Sequence, residues 1–185
     1  DWGVSYEELE PYYDQFEHVY GIAGQAGNLD GVIQPGGNPF EGRRSREYPN
    51  PAKPQSHAGA VFAEGARHYG YRPFPTPAAT MTRGYVNPYR VTLGECVYGG
   101  FCGGYTCAMG AKATPLTTVL PALLAHDNFE LRPRANVTRV NLDSERRRAV
   151  SVTYVDARGR ECEQPAALVV LASYTLNNVR LLLLS

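Results

Sequence analysis

The chain has 185 residues, 43% hydrophobic and 19% charged, a balance that suits one packed core and excludes a disordered tail or a fibre. Eighteen basic residues offset eighteen acidic ones, so a generally electropositive surface for nucleic acid is not expected. The longest apolar run, Ala166 to Ala172, falls far short of the roughly 20 residues that cross a bilayer, so direct membrane insertion is not expected either.

Ser5-Tyr6-Glu7-Glu8 is a capping box, and a helix is predicted from there. Leu9, Tyr12, Tyr13, Phe16, Val19 and Tyr20 recur at helical spacing and predict one apolar face, with Glu7, Glu10, Asp14 and Glu17 mostly off it; Gly21 supplies the stop. From Gly21 to Ser56, twelve of 36 residues are Gly or Pro, which predicts a long irregular excursion laid over another surface. Helical character returns over His57 to Tyr69 and closes at Gly70, and a Pro-rich connection follows from Arg72 to Pro88.

The second half is more regular. A short helix, tolerating or kinked by Pro121, is predicted over Thr117 to Ala125, and a strand from Phe129 to Arg132. Strands are also predicted at Asn136 to Leu142 and Val150 to Asp156, the latter with Val150, Val152 and Tyr154 on one face. Asp156-Ala157-Arg158-Gly159 reads as a turn into a return strand at Glu161 to Gln164. Ala166 to Ala172, nearly all aliphatic, suits a strand buried on both faces of a parallel sheet. After the polar junction at Ser173, Tyr174 to Leu184 reads as a helix, the order found at ligand crevices of open α/β sheets. The chain starts at Asp1 without Met and stops on four leucines, with no residue to end the helix, so it reads as an excerpt from a longer polypeptide.

Three cysteines, Cys96, Cys102 and Cys107, fall within twelve residues. Gly99, Gly100, Gly103 and Gly104 between them give the backbone freedom to converge thiolates. An iron-sulfur cluster lacking one iron takes three thiolates, whereas structural zinc needs a fourth donor. The same spacing suits a disulfide plus a free thiol, or three reduced thiols, and the residues alone leave these open. Cys162, on a predicted strand, reads as a small half-buried residue. His18, His57, His68 and His126 are scattered and form no catalytic set, and no nucleophile elbow, Walker sequence or dinucleotide fingerprint is present. Arg146-Arg147-Arg148 reads as a solvated hairpin end. Residues 1 to 42 hold eight acids and no Lys or Arg, a charge asymmetry that suits docking of a basic partner such as a cytochrome.

Taken together, several segments carry a resemblance. Asp1-Trp2-Gly3-Val4-Ser5-Tyr6-Glu7-Glu8-Leu9-Glu10-Pro11-Tyr12-Tyr13, the segment Cys96 to Lys112, Asn128 to Arg132 with Ala135 to Val140, and the close at Leu171 to Arg180 resemble the glucose, methanol and choline oxidoreductase family, in that family's order. Among its members they are most similar to the flavoprotein subunits of gluconate, sorbitol, fructose and glucose dehydrogenases. The resemblance implies an α/β (α+β) fragment, part of an FAD/NAD(P)-binding-like lobe with part of a helix-and-loop substrate lobe. Residues 1–95 would be the substrate-lobe portion, and 96–185 the cysteine segment followed by the partial FAD lobe.

The resemblance further implies removal of hydride to FAD from an alcohol carbon of a sugar, polyol or sugar acid. Electrons would then pass to a cytochrome or quinone, with cytochrome c and small subunits as partners and a periplasmic or membrane-associated setting. It assigns adenine contact to the backbone of Val137, a strand end beside FAD to Ala172 and Ser173, and a three-iron, four-sulfur cluster to Cys96, Cys102 and Cys107. Gly99 stands where some relatives carry another cysteine. The Gly-rich pyrophosphate loop and the catalytic His match no residue here, so the chain by itself is expected to be inactive. On the cysteines alone, the alternative is a non-enzymatic iron-sulfur or metal-binding electron-transfer module.

Overall fold

The computed structural model describes residues 3–99, 102, 103 and 105–185. Helices and small sheets are mixed, as expected of an α/β fragment. The chain divides into two compact units, Asp1–Phe129 and Glu130–Ser185. The expected lobe boundary at 95/96 falls inside the first of them.

In the first unit, α1 (Tyr6–Tyr20) begins where the capping box places it. The Glu8 amide donates to the Ser5 hydroxyl at 3.2 Å, and the Ser5 amide to Glu8 Oε2 at 2.7 Å. Gly21 ends the helix in the left-handed region at φ 61°, where a residue lacking Cβ carries no steric penalty. The inward face of α1 differs from the expectation. Tyr12, Tyr13 and Phe16 are exposed while Asp14 is buried.

The reason lies in residues 43–46. Glu10 accepts from the amide and hydroxyl of Ser45, Asp14 pairs with Arg46, and Glu17 pairs with Arg44. Arg44, only 7% exposed, also reaches Glu41 at 3.4 Å and lies 3.8 Å above the ring of Tyr48. Burial opposes its charge, but its bonds to the Glu17 carboxylate outweigh that and hold the guanidinium above its usual pKa. Three carboxylates spaced along one helical stripe, Asp14 buried and Glu10 and Glu17 half-buried, are thus engaged by partners that follow the acidic stretch directly in sequence. With Asp30 on Arg43 at 3.1 Å, three arginines just beyond residue 42 pair with part of the acidic excess of residues 1–42 within the unit.

The Gly/Pro-rich excursion is irregular, as predicted, apart from two-residue pairings. In these, β1 (Ala23–Gly24) lies parallel to β4 (Asn50–Pro51), and β2 (Asn28–Leu29) is antiparallel to β3 (Val32–Ile33). Helix α2 (His57–His68) is capped by Ser56, which accepts from the Gly59 amide. The β5 (Tyr85–Val86) and β6 (Thr92–Leu93) pair leads into the cysteine segment. The helix expected over 117–125 forms as α3 (Pro115–Thr118) and α4 (Leu120–Leu123), with Pro121 in the first turn of the second. Proline lacks the amide that one continuous helix would use there.

In the second unit, β7 (Asn136–Leu142), β8 (Ala149–Val155) and β9 (Glu161–Pro165) form an antiparallel sheet in that order. The turn at Asp156 forms as expected. Its carboxylate accepts from the amides of Arg158 and Arg160, and Gly159 takes φ 76°. The Arg160 amide, followed by its side chain, holds the Asp156 carboxyl below its ordinary pKa. The residues 146–148 do cap a hairpin, with the amides of Arg147 and Arg148 donating to Asp143. On the central strand β8, Ser151 and Thr153 are the buried residues and Val150 is exposed. Asn141 donates to both hydroxyls and Ser151 donates to Glu163. Short polar side chains in the central strand lie beneath longer polar ones from both neighbours, a satisfied network in place of an apolar face.

Two expected strands do not form. Residues 129–132 are irregular, because Arg132 grips Glu130 and Gln164 (2.6 Å) and Pro133 cannot donate to a ladder. Ala166 to Ala172 is irregular and largely exposed, with Leu168 at 79% and Val170 at 76%. A strand needs a neighbour to take its backbone bonds. Here the Ala166 amide bonds to Val150, and beyond it Leu171 is held by a side chain. Helix α5 (Thr175–Leu183) follows and packs on β7 through buried Leu181, with Ser185 Oγ accepting from the Val140 amide at 2.9 Å.

Candidate functional site

The cysteine segment is organised by one short ribbon. Met81 donates its amide to Ala111 O at 2.8 Å and Ala113 donates to Ala79 O at 2.9 Å, with Thr80 bridged to Lys112. Cys96 joins this ribbon by donating its amide to Met81 O at 2.9 Å. Met81, Leu93 and Ala111 form the buried cluster beneath, and Cys96 and Cys107 both pack against it. Residues eleven apart in sequence therefore share one patch of core. Gly94 permits this, since a Cβ there would stand 2.0 Å from the Met109 carbonyl oxygen.

All four cysteines are free thiols; Cys96 and Cys107 are half-buried, and Cys102 is exposed. The Tyr98 amide points at Cys96 Sγ at 3.4 Å. The Cys107 thiol is pushed below its ordinary pKa, first by the Ala111 amide and then by those of Lys112 and Met109 together with the Lys112 charge, with burial opposing. Backbone amides aimed at sulfur favour the thiolate, the form that binds metal. Cys102 lies in a loop held by Lys112, whose Nζ donates to Cys102 O at 2.5 Å and Tyr105 O at 2.8 Å. Sequence reasoning did not single out Lys112. The signal was a lone cation closing a Gly- and Cys-rich segment. Gly100 and Gly104, expected to lend that loop its freedom, lie outside the described residues, as do Asp1 and Trp2. Among the described residues no three His, Cys, Asp or Glu side chains are placed to hold a single metal ion. Reduced thiols, a backbone that favours thiolate at Cys107 and a glycine-spaced loop do fit a bridged cluster, which spreads its ligands more widely than one ion. Cys162 sits half-buried on β9, apart from the triplet in sequence.

The residues expected near FAD all fall in the second unit. Val137 is half-buried on β7, opposite Tyr154, beside a bulge at Thr138. Because β7 is an edge strand, it carries backbone groups outside the ladder, which fits a backbone contact to a flat base. Ala172 and Ser173 are exposed at the entry to α5. Asn178, which sequence reasoning passed over, fastens that entry. Its Oδ1 accepts from the Ser173 amide (3.0 Å) and hydroxyl (2.9 Å), and its Nδ2 donates to Leu171 O at 3.2 Å. The only advance signal was an Asn one turn inside a predicted helix, where it has little propensity advantage. A cleft of about 480 Å³ at the end of this sheet is lined by Asp143, Arg148, Val150 and Ala166 among others, and by none of the expected FAD contacts.

The histidines do not gather. His18 directs Nδ1 at the Asp14 carbonyl (2.9 Å) and lies 3.3 Å from its carboxylate, a contact within α1. No helix among the described residues is long and apolar enough to cross a membrane.

Comparison with known proteins converges on one family. The model of the GMC oxidoreductase family matches residues 2–185. The chain is 44% identical over 188 residues to the gluconate 2-dehydrogenase flavoprotein of Pantoea cypripedii, covering 100% of this chain and 31% of that one. It is 33% identical to paromamine 6'-oxidase of Streptomyces fradiae, covering 100% and 30%. It is 25% identical to the fructose dehydrogenase large subunit of Gluconobacter japonicus, covering 94% and 31%. The chain thus spans about a third of these relatives, and does so from one end of itself to the other. With the family model matching nearly every residue, the chain belongs to the GMC oxidoreductase family.

Proposed function

We propose that this chain is part of an FAD-dependent dehydrogenase that oxidises an alcohol carbon of a sugar, polyol or sugar acid and passes the electrons to a cytochrome or quinone. The observation that carries the reading is 44% identity, along its whole length, to a flavoprotein named for gluconate 2-dehydrogenation. FAD, when bound, accepts the hydride. The part played by this chain is to hold and frame. The backbone of Val137 on the free edge of β7 meets the adenine. Ala172 and Ser173, fastened by Asn178, line the cofactor where the chain enters α5. Cys96, Cys102 and Cys107 hold a three-iron, four-sulfur cluster for electrons leaving the flavin. Residues 1–95 belong to the substrate lobe and 96–185 include the FAD lobe. Cytochrome c and small subunits are the partners, in a periplasmic or membrane-associated complex.

Anaerobic addition of gluconate, and of a panel of sugars and polyols, to the full-length protein tests this. Bleaching of the flavin by one of them, followed by reduction of added cytochrome c or quinone, is expected. Flavin that no alcohol on the panel reduces would overturn the proposal. The non-enzymatic module predicts iron and sulfide without flavin, so the same preparation separates the two.

A further inference from the structure

Each cysteine of the triplet needs a fixed place if the three are to share one cluster, and the structure supplies the three places by different means. Cys96 is tied by its amide to Met81 O. Cys107 packs on the same core cluster and accepts the Gly110 amide at its carbonyl at 3.1 Å, closing the turn toward Ala111. Cys102 is exposed and lies outside that packing. It is tied instead by the Lys112 ammonium on its own carbonyl oxygen, shared with the carbonyl of Tyr105. Lys112 can act as a fixed post because its backbone is held on both sides. The flanking residues pair with Ala79 and Met81, and its carbonyl accepts from Thr117 Oγ1 at 3.2 Å. The side chain forms no ion pair among the described residues, so the ammonium spends its donors on the loop. Charged donors to carbonyls make stronger bonds than neutral ones.

We infer that Lys112 is the positioning residue that sets Cys102 against Cys96 and Cys107. This rests on the cluster proposed above. It acts through the backbone of Cys102 and Tyr105, and its fixed positive charge in this segment should also raise the potential of a cluster held there.

The test uses the full-length protein with Lys112→Met and Lys112→Arg. Iron and acid-labile sulfide are measured against flavin, the cluster potential is titrated, and iron loss to a chelator is timed. Lys112→Met should retain the flavin content of the parent, lose iron about tenfold faster, a change of about 1.4 kcal/mol, and lower the cluster potential. Lys112→Arg, which can still donate to both carbonyls, should restore the parent rate and most of the potential. Parent-like iron retention and potential in Lys112→Met would overturn the role of Lys112 while leaving the cluster standing. A parent protein without iron or sulfide would overturn the cluster, and this inference with it. If Lys112→Arg fails to rescue iron retention, the two carbonyl bonds are not the cause and the inference is likewise overturned.

Discussion

Arg44→Met should be the most destabilising single change in the first unit. Arg44 is 7% exposed. It donates to Glu17 through two nitrogens and to Glu41 at 3.4 Å, and stacks 3.8 Å above Tyr48. Methionine keeps much of the stem volume and removes the charge, leaving two carboxylates, 16% and 15% exposed, facing each other without a cation. Breaking a buried ion pair from one side costs about 3–5 kcal/mol, a large share of a typical total of about 5–15. The rest of the reasoning lies in the double variant. Glu41 keeps the Gly27 amide (2.5 Å) and the Tyr48 hydroxyl (2.9 Å) as donors, whereas among the described residues the Glu17 carboxylate accepts from Arg44 alone. Glu17→Gln in the Arg44→Met background should therefore recover about 1.5 kcal/mol or more, because the stranded charge and not the lost bond is the larger cost. Urea denaturation followed by circular dichroism gives the four corners of the cycle. A single variant costing less than about 1 kcal/mol, or strictly additive effects, would refute the reasoning that Arg44 neutralises two carboxylates that cannot be left without it.

Three other outcomes follow from the same structure. Ser5→Ala should cost about 1 kcal/mol. Because the amide and hydroxyl of Ser5 hold the Glu8 carboxyl below its ordinary value of 4.5, the contribution of Glu8 is present above that pH and lost as pH falls through the lowered value. Glu8→Gln should then flatten the acid limb of a stability profile, and an unchanged limb would contradict the cap. Tyr48 is raised above its ordinary value of 10.0, chiefly by burial. Its contribution is intact below pH 10.0 and declines as pH rises toward the raised value, so Tyr48→Phe should soften the alkaline decline measured by denaturation at increasing pH. Gly94→Ala places a methyl 2.0 Å from the Met109 carbonyl oxygen and should destabilise by about 1–3 kcal/mol. Its melting temperature should fall and the thiols of Cys96 and Cys107 should label faster. Parent-like values would mean the two segments do not meet there.

Much of this was legible because the signals were local. The Ser5–Glu8 box, the Gly21 stop, the Asp156–Gly159 turn and helix α5 each depend on residues within one turn of one another, and each forms. What could not be read depended on partners elsewhere. Asp14 looked solvated until Arg46 stood across from it, and the pairing of Asp30, Glu17 and Asp14 with Arg43, Arg44 and Arg46 lay beyond the end of the acidic stretch. The aliphatic run at Ala166–Ala172 carries the composition of a buried strand, but a strand is a property of two chains and no ladder partner adjoins it among the described residues. On β8, alternation separated the two faces without showing which is buried, because that depends on Asn141 and Glu163, which cover Ser151 and Thr153 from the neighbouring strands. At the cysteines, spacing drew attention to the triplet and overlooked the lysine that anchors the loop of Cys102, since its bonds run to backbone carbonyls and leave no mark in side-chain pattern.

The central claim is that these residues frame a bound flavin. Its most direct test is the flavin content of the purified full-length protein. One FAD per polypeptide is predicted, with Asn178→Ala, which frees the Ala172–Ser173 entry to α5, weakening its retention. A colourless protein that cannot be reconstituted with FAD would contradict it.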